Sequence, residues 1–362
     1  MKDNDRPAEN NTAGYYKGRG AQINPKNRFL PRDYIRENPE GIDEWWQPDG
    51  QTEYIVEHAR AIVNKVDSPD LGMMYSMNPY QGCEHGCIYC YARNTHQYWG
   101  YSAGKDFEHK IIVKKNAPEL FRKFLNNKNW RSVPISVSGN TDCYQPAERK
   151  FGITRQLLQI ALQYRQPIAM ITKNALILRD KDLLAQMAKQ NQVAVFVSIT
   201  AMDEKLRLVM EPRTASYKQR LKVICELSES GIPVGVMNAP VIPGINDQEM
   251  CEVLKAAKEN GARYAGYTIV RLNDAVGIIF KDWLKKNFPD RCEKVCHLIE
   301  SCHGGALHDS EWGRRMKGEG NIAELISKQF KMQTRILGLN KEKINLDTSH
   351  FCRPGQQLSL FE

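Results

Sequence analysis

"NPYQGCEHGCIYCYAR", residues 78–93, sets Cys83, Cys87 and Cys90 within eight positions, with Gly82 before the first and Gly86 before the second. An ordered loop rarely concentrates thiols without a metal or redox role. C-x3-C-x2-C supplies three ligands, whereas a structural zinc usually takes four, often as two separated pairs. The chain has no second C-x2-C pair. Three thiolates on a curling loop suit an iron–sulfur cubane that keeps one iron free of protein. Glycine reaches the backbone angles such a curl needs. A zinc completed by His85 or His96 is the alternative use of the same thiols.

Outward from the loop, strand-like and helix-like stretches alternate. "MMYSMNPY" (73–80) leads into the cysteines, and "PISVSGN" (134–140) precedes the helix "GITRQLLQIALQYR". "PIAMITKN" (167–174), "VAVFVSIT" (193–200), "IPVGVMNAPVIPG" (232–244) and "ARYAGYTIV" (262–270) follow, each separated from the next by a helical pattern. Six β/α units in chain order imply a parallel sheet built through right-handed crossovers. Eight would close a full barrel, so an open doubly wound sheet or a partial barrel fits. Upstream, "TEYIVEHARAIVNKV" (52–66) carries Ile55, Val56, Ala59, Ile62, Val63 and Val66 at helical spacing and predicts one helix. Residues 1–30 have no periodicity and read as an arm that either stays mobile or drapes over the body. Residues 275–340 look helical, and the last twenty look irregular.

The 362 residues, 41% hydrophobic and 26% charged, describe an ordinary soluble chain. "MKDNDRPAENNTAG" has the composition of neither a signal nor a transit peptide, and no apolar run is long enough to span a bilayer. A cytoplasmic, membrane-free protein is expected. Ten cysteines in a reducing compartment do not read as a disulfide framework. Cys292-x3-Cys296-x5-Cys302 lies in a helical stretch and reads as incidental. A net charge of +9 permits an anionic partner such as nucleic acid.

"CEHGCIYC" (83–90) resembles the C-x3-C-x-Y-C signature of the radical S-adenosylmethionine (SAM) superfamily. The resemblance implies an α/β fold, a partial (β/α)6 TIM-like barrel over residues 73–275, preceded by an N-terminal arm and helix (1–72). A C-terminal helical extension (276–345) and a tail (346–362) follow. It also implies a 4Fe–4S cluster whose free iron binds SAM, reductive cleavage to a 5′-deoxyadenosyl radical, and an electron donor such as flavodoxin or ferredoxin. "PVIPGIND" (240–247) resembles the superfamily's turn that shapes the adenine pocket.

Within the superfamily, "CYAR", the Thr141-Asp142 element, "TK" (172–173) and "VSIT" (197–200) are similar to spore photoproduct lyase and uncharacterised bacterial proteins beside it. By that similarity Tyr89 lies against adenine, Thr141 and Lys173 hold the SAM carboxylate, and Ser198 contacts the nucleoside. The lyase carries a hydrogen-donating cysteine near the end of strand two. Aligning the Thr-Asp elements puts Gly139 there, with Cys143 four residues on, so Cys143 is a candidate donor from the loop. Tyr91 is a second candidate for radical relay, with core packing as its alternative. Glu211, Arg213 and Arg220 in "RLVMEPRTASYKQRL" are expected to order the loop after strand four or touch an anionic substrate, with helix-surface charge as the alternative for Arg220.

The chain ends in "RPGQQLSLFE", where Gln357, Leu358, Ser359, Leu360 and Phe361 resemble the pentapeptide that docks on the bacterial sliding clamp. Such a tail buries its apolar side chains in a partner's pocket; packing onto its own barrel is the alternative. The combined expectation is a radical SAM enzyme acting on DNA. Its rivals are a radical SAM enzyme for RNA, a peptide or a small metabolite, and a non-catalytic zinc protein.

Overall fold

The computed structural model describes Tyr16, residues 18–29 and residues 51–354. The terminal pentapeptide Gln357–Phe361, expected from its resemblance to dock on a sliding clamp, lies outside the described residues. In chain order the strands are β1 (Glu53–Glu57), β2 (Val63–Lys65), β3 (Tyr75–Met77), β4 (Tyr80–Gln81), β5 (Lys110–Lys114), β6 (Ile135–Val137), β7 (Ile168–Thr172), β8 (Val193–Ser198), β9 (Val234–Val241) and β10 (Tyr264–Ile269). The main sheet has the order β10-β9-β8-β7-β6-β3-β2. From β3 to β10 every neighbouring pair is parallel, and β2 caps the β3 edge antiparallel. These six parallel strands are the six read from the sequence. The first and last of them do not pair among the described residues, so the sheet forms an open, partial barrel.

Each crossover is a helix whose apolar positions recur every three or four residues. Ile153–Tyr164, for example, buries Ile153, Leu157, Leu158, Ala161 and Tyr164 against the sheet. The strand interiors supply the facing layer: Val193, Val195, Val197, Val234 and Val236 are at most 1% exposed. Beyond β10, helices Ala275–Asn287, Cys292–Ser301 and Gly320–Leu337 form the expected helical extension. Cys292 and Cys296 are buried in the second of these. No helix among the described residues is long and apolar enough to cross a membrane.

The helix expected over 52–66 is a correction. Glu53–Glu57 pairs parallel with Lys110–Lys114, and Val63–Lys65 pairs antiparallel with Tyr75–Met77. Ile55, Val56, Ile62, Val63 and Val66 sit at helical spacing, but their branched side chains also fit a pleated surface. Available strand partners decide between the two. β1, β5 and β4 thereby make a small second sheet that leads straight into the cysteine loop.

Part of the N-terminal arm drapes over the body. The amides of Gly20 and Ala21 donate to the Glu108 carboxylate at 3.1 and 2.7 Å, and Arg19 Nη1 donates to the Glu108 carbonyl at 3.0 Å. Ala21 is fully buried. A methyl group on Gly20 would lie 1.8 Å from the carbonyl oxygen of Gly86, so only glycine permits this approach.

Candidate active site

The loop after β4 turns through Gly82 (φ +78°) and Gly86 (φ +67°), and a Cβ at either would press on Lys110 O or the Glu108 carboxylate at under 3 Å. Backbone bonds fix the turn: Cys83 N donates to Phe107 O at 2.8 Å, and Cys90 N to Cys87 O at 3.4 Å. Arg93, fully buried, donates to Cys87 O at 2.9 Å, to Gly104 O at 3.0 Å and to Glu108 Oε1 at 2.5 Å. One ion pair thus ties the cysteine loop, the 103–108 segment and the N-terminal strap together. Glu108 supplies both its oxygens to this junction, which stops Arg93 from being an unpaired buried charge.

All three thiols are free of disulfides; Cys83 and Cys87 are buried and Cys90 is half-buried. Burial pushes the Cys83 thiol well up, with Asp142 and the other two thiols adding to it, and pushes Cys87 to about 12. The buried Cys83 and Cys87 sulfurs stay neutral unless a metal holds them as thiolates. Among the described residues no three His, Cys, Asp or Glu side chains converge to hold a single metal ion. Thiolates of a multi-iron cluster bind separate irons and stand further apart. The donor set and the glycine-built cradle therefore fit a cluster with three protein thiolates.

Beside the loop lies a buried charged network. Arg220 and Glu211 are both fully buried and meet at 2.6 Å. Glu211 also accepts from the Tyr89 hydroxyl and from Thr200 Oγ1 at 3.0 Å, and Arg220 donates to Ser198 O at 2.9 Å. Burial works against the Glu211 charge, yet Arg220 and Lys173 outweigh it and hold the carboxyl below its ordinary range. Burial likewise opposes charge on Lys173, while Cys87 and Glu211 hold that amine above the usual lysine value. Lys173 Nζ lies 5.8 Å from the centre of the Tyr89 ring. Tyr89, Lys173 and Ser198 are thus brought to one place, and Arg220 is a core residue rather than helix-surface charge.

Thr141 sits at the base of the loop. Its hydroxyl donates to Tyr80 O at 2.6 Å, pinning β4 beneath the loop. The residue that meets the end of β7 is Asp142, which accepts from Thr172 Oγ1 and from Lys173 N, both at 2.8 Å. Asp142 also faces His85 Nδ1 at 3.4 Å, and His85 Nε2 lies 3.1 Å from Asn174 Nδ2. Burial pushes His85 down to about 4, so the ring is neutral. Arg213 sits at 3.6 Å from Glu84, at the outer side of the loop.

The two hydrogen-relay candidates separate. Cys143 is fully buried, its amide on Ser138 Oγ at 2.8 Å and its carbonyl accepting from Thr154 Oγ1 at 2.7 Å. Tyr91, directly after Cys90, is 51% exposed, and its hydroxyl donates to the carbonyl of Gly139. The 240–247 turn is rigid: Asn246 accepts from Ile242 N at 2.6 Å and donates to Thr200 O at 2.8 Å. Sequence reasoning missed the Glu108 junction and the Asp142–His85 contact. The glycines at 82 and 86 were the signal that something packs closely there.

A family model described as the Radical SAM superfamily matches residues 77–257. An uncharacterised protein of Mycobacterium tuberculosis is 31% identical over 244 residues, covering 66% of this chain and 71% of its own length. An uncharacterised protein of Methanocaldococcus jannaschii is 29% identical over 237 residues, covering 66% of this chain and 84% of its own. Among solved structures, spore photoproduct lyase complexed with dinucleoside spore photoproduct superimposes with a TM-score of 0.56 at 15% identity, over 79% of this chain and 80% of that one. A variant of that lyase with bound AdoMet and the same dinucleoside gives 0.55 at 15% identity, with the same coverage.

Proposed function

The chain belongs to the radical SAM superfamily, whose members use a 4Fe–4S cluster and SAM, and from that premise we propose an enzyme that acts on DNA in the manner of a photoproduct lyase. When bound, the cluster and SAM supply a 5′-deoxyadenosyl radical able to take hydrogen from an unactivated carbon. Cys83, Cys87 and Cys90 hold the cluster. Lys173 pairs with the SAM carboxylate, a charge-assisted contact. The Tyr89 ring and Ser198 border the nucleoside. The Glu211–Arg220 pair keeps these groups in register by fixing the Tyr89 hydroxyl and the Ser198 carbonyl.

The observation that carries the reading is Tyr91. It follows the last cluster cysteine, half-exposed, with its hydroxyl at Gly139, where the aligned lyase places its hydrogen donor. Tyr91 is therefore the relay residue we favour, and the full burial of Cys143 supports packing as that thiol's role. Further support comes from the +9 net charge and the likeness in fold to a lyase solved with a dinucleoside lesion. A duplex substrate would have its damaged bases flipped from the stack. An acidic electron carrier of the flavodoxin or ferredoxin kind supplies the reducing electron, and the 357–361 tail docks on the sliding clamp.

The test is anaerobic reconstitution, dithionite and SAM, with 5′-deoxyadenosine measured alone and with ultraviolet-irradiated DNA. Stimulation by irradiated DNA, with restored thymines in the digest, is the expected outcome. Stimulation by RNA or by a peptide, with indifference to DNA, would move the enzyme to another substrate class.

A further inference from the structure

Ten described arginines are buried or half-buried (Arg19, Arg93, Arg155, Arg207, Arg213, Arg220, Arg271, Arg314, Arg315 and Arg353). Nine of them reach a carboxylate or a carbonyl. Arg271 reaches neither among the described residues. A guanidinium drawn out of bulk water without a partner carries a desolvation cost that a well-packed fold normally removes.

Arg271 stands just past β10, the edge strand of the open barrel. Its loop is rigidly held on both sides: Asn94 Nδ2 donates to Asn273 O at 2.9 Å, and Leu272 N to Leu307 O at 3.1 Å. The carboxylates in electrostatic reach, Asp70 and Asp309, are engaged elsewhere. Asp70 takes Arg315 Nε at 2.6 Å and Gly313 N at 2.5 Å; Asp309 takes Arg314 and Glu311 N. The same corner holds other unmet polar atoms. His303 is 3% exposed, with Nε2 on Val270 O at 2.7 Å and Nδ1 without a partner. The Oδ1 atoms of Asn94 and Asn273 are likewise unsatisfied.

Two features say what kind of anion belongs here. Lys173, the cation assigned to the SAM carboxylate, ends β7, three strands away from β10, so Arg271 is not needed for SAM. Tyr91, 51% exposed, lies in electrostatic reach of Arg271, as does Arg315, whose guanidinium sits over the 52% exposed Trp312 ring at 4.7 Å. Cations interleaved with open aromatic rings suit a strand whose phosphates and bases alternate. We propose that Arg271 binds a phosphodiester of the substrate DNA strand across the open side of the barrel, beside Tyr91 and with the Arg315–Trp312 pair next along the surface. A planar guanidinium fits two phosphate oxygens at once.

This inference rests on the DNA reading above, and one experiment separates their failures. The reconstituted holoenzyme is titrated into a fluorescent single-stranded DNA oligonucleotide over a salt series, with anisotropy as readout and absorbance near 400 nm confirming the cluster. Arg271→Gln should weaken binding about tenfold for all sequences and lower the salt slope by about 0.7, one phosphate contact on a single strand. Arg271→Lys should keep the slope and lose roughly threefold in affinity, which carries the test should the glutamine variant not fold. Arg335→Gln, an exposed arginine in the last turn of the helix Gly320–Leu337, whose end lies by the start of β10 (Asn340 N on Arg263 O at 2.9 Å), is the control for charge alone and should stay within about twofold. Wild-type affinity and slope in the Arg271 variants, or an equal loss at Arg335, overturns the assignment while leaving DNA as substrate. Absence of wild-type binding to any oligonucleotide overturns both.

Discussion

Replacing Arg220 by methionine removes one half of a fully buried ion pair. Both partners are 0% exposed and 2.6 Å apart, so neither bulk water nor salt screens the loss. Glu211 would keep its hydrogen bonds from Tyr89 and Thr200 but lose its hydrogen-bonded countercharge, with Lys173 the remaining cation, and Ser198 O would lose a donor. Leaving a buried charge unpaired costs about 3–5 kcal/mol. At roughly 2–4 °C per kcal/mol for a large domain, the midpoint of thermal unfolding should fall by about 6–20 °C. Circular dichroism of the anaerobic protein reads this directly. Adding Glu211→Gln to Arg220→Met should recover part of the loss, with a coupling on the order of 2 kcal/mol in the double-mutant cycle. A single-variant loss under about 1 kcal/mol, or strictly additive effects, would refute the view that this pair organises Tyr89 and Ser198.

Replacing Cys83, Cys87 and Cys90 together by serine should abolish both iron binding and 5′-deoxyadenosine release; retention of either would remove the basis of the site. Gly20→Ala drives a methyl group into Gly86 O and should cost about 1–3 kcal/mol, read as faster iron loss under a chelator. An unaltered rate would show that the strap does not support the loop. His96 is fully buried, and burial pushes it down to about 4 from an ordinary value near 6.5. The unfolded chain binds the extra proton first, so stability is full above about pH 6.5 and declines as pH falls toward about 4. His96→Phe should flatten that window in denaturant titrations, and an unchanged slope would count against it. Deleting residues 357–361 should abolish clamp capture while 5′-deoxyadenosine formation persists; equal capture by both forms would discard the docking tail.

The strands were legible because each carries a short apolar, β-branched run followed by a helix of distinct period. The 52–66 segment was not, since its apolar spacing satisfies a helix and two strands equally, and only β5 and β3 as neighbours choose between them. Lys173, Tyr89 and Ser198 could be picked out because each sits at a strand end or inside the cysteine motif. Thr141 and Cys143 looked equally placed in the sequence, yet a two-residue difference in loop geometry turns the Thr141 hydroxyl onto Tyr80 and buries the Cys143 side chain.

What the sequence alone determined is the local chemistry: three thiols within eight positions, glycines that let their loop curl, and six units that must cross over in one hand. These follow from backbone sterics and periodicity, which act over a few residues. The tertiary structure decided which charges meet. Glu108 receives Gly20 and Ala21 from almost ninety positions away, Glu211 finds Tyr89 from over a hundred, and Arg271 meets no carboxylate among the described residues. Coulomb and desolvation energies depend on distance through space, and only the folded chain sets that distance.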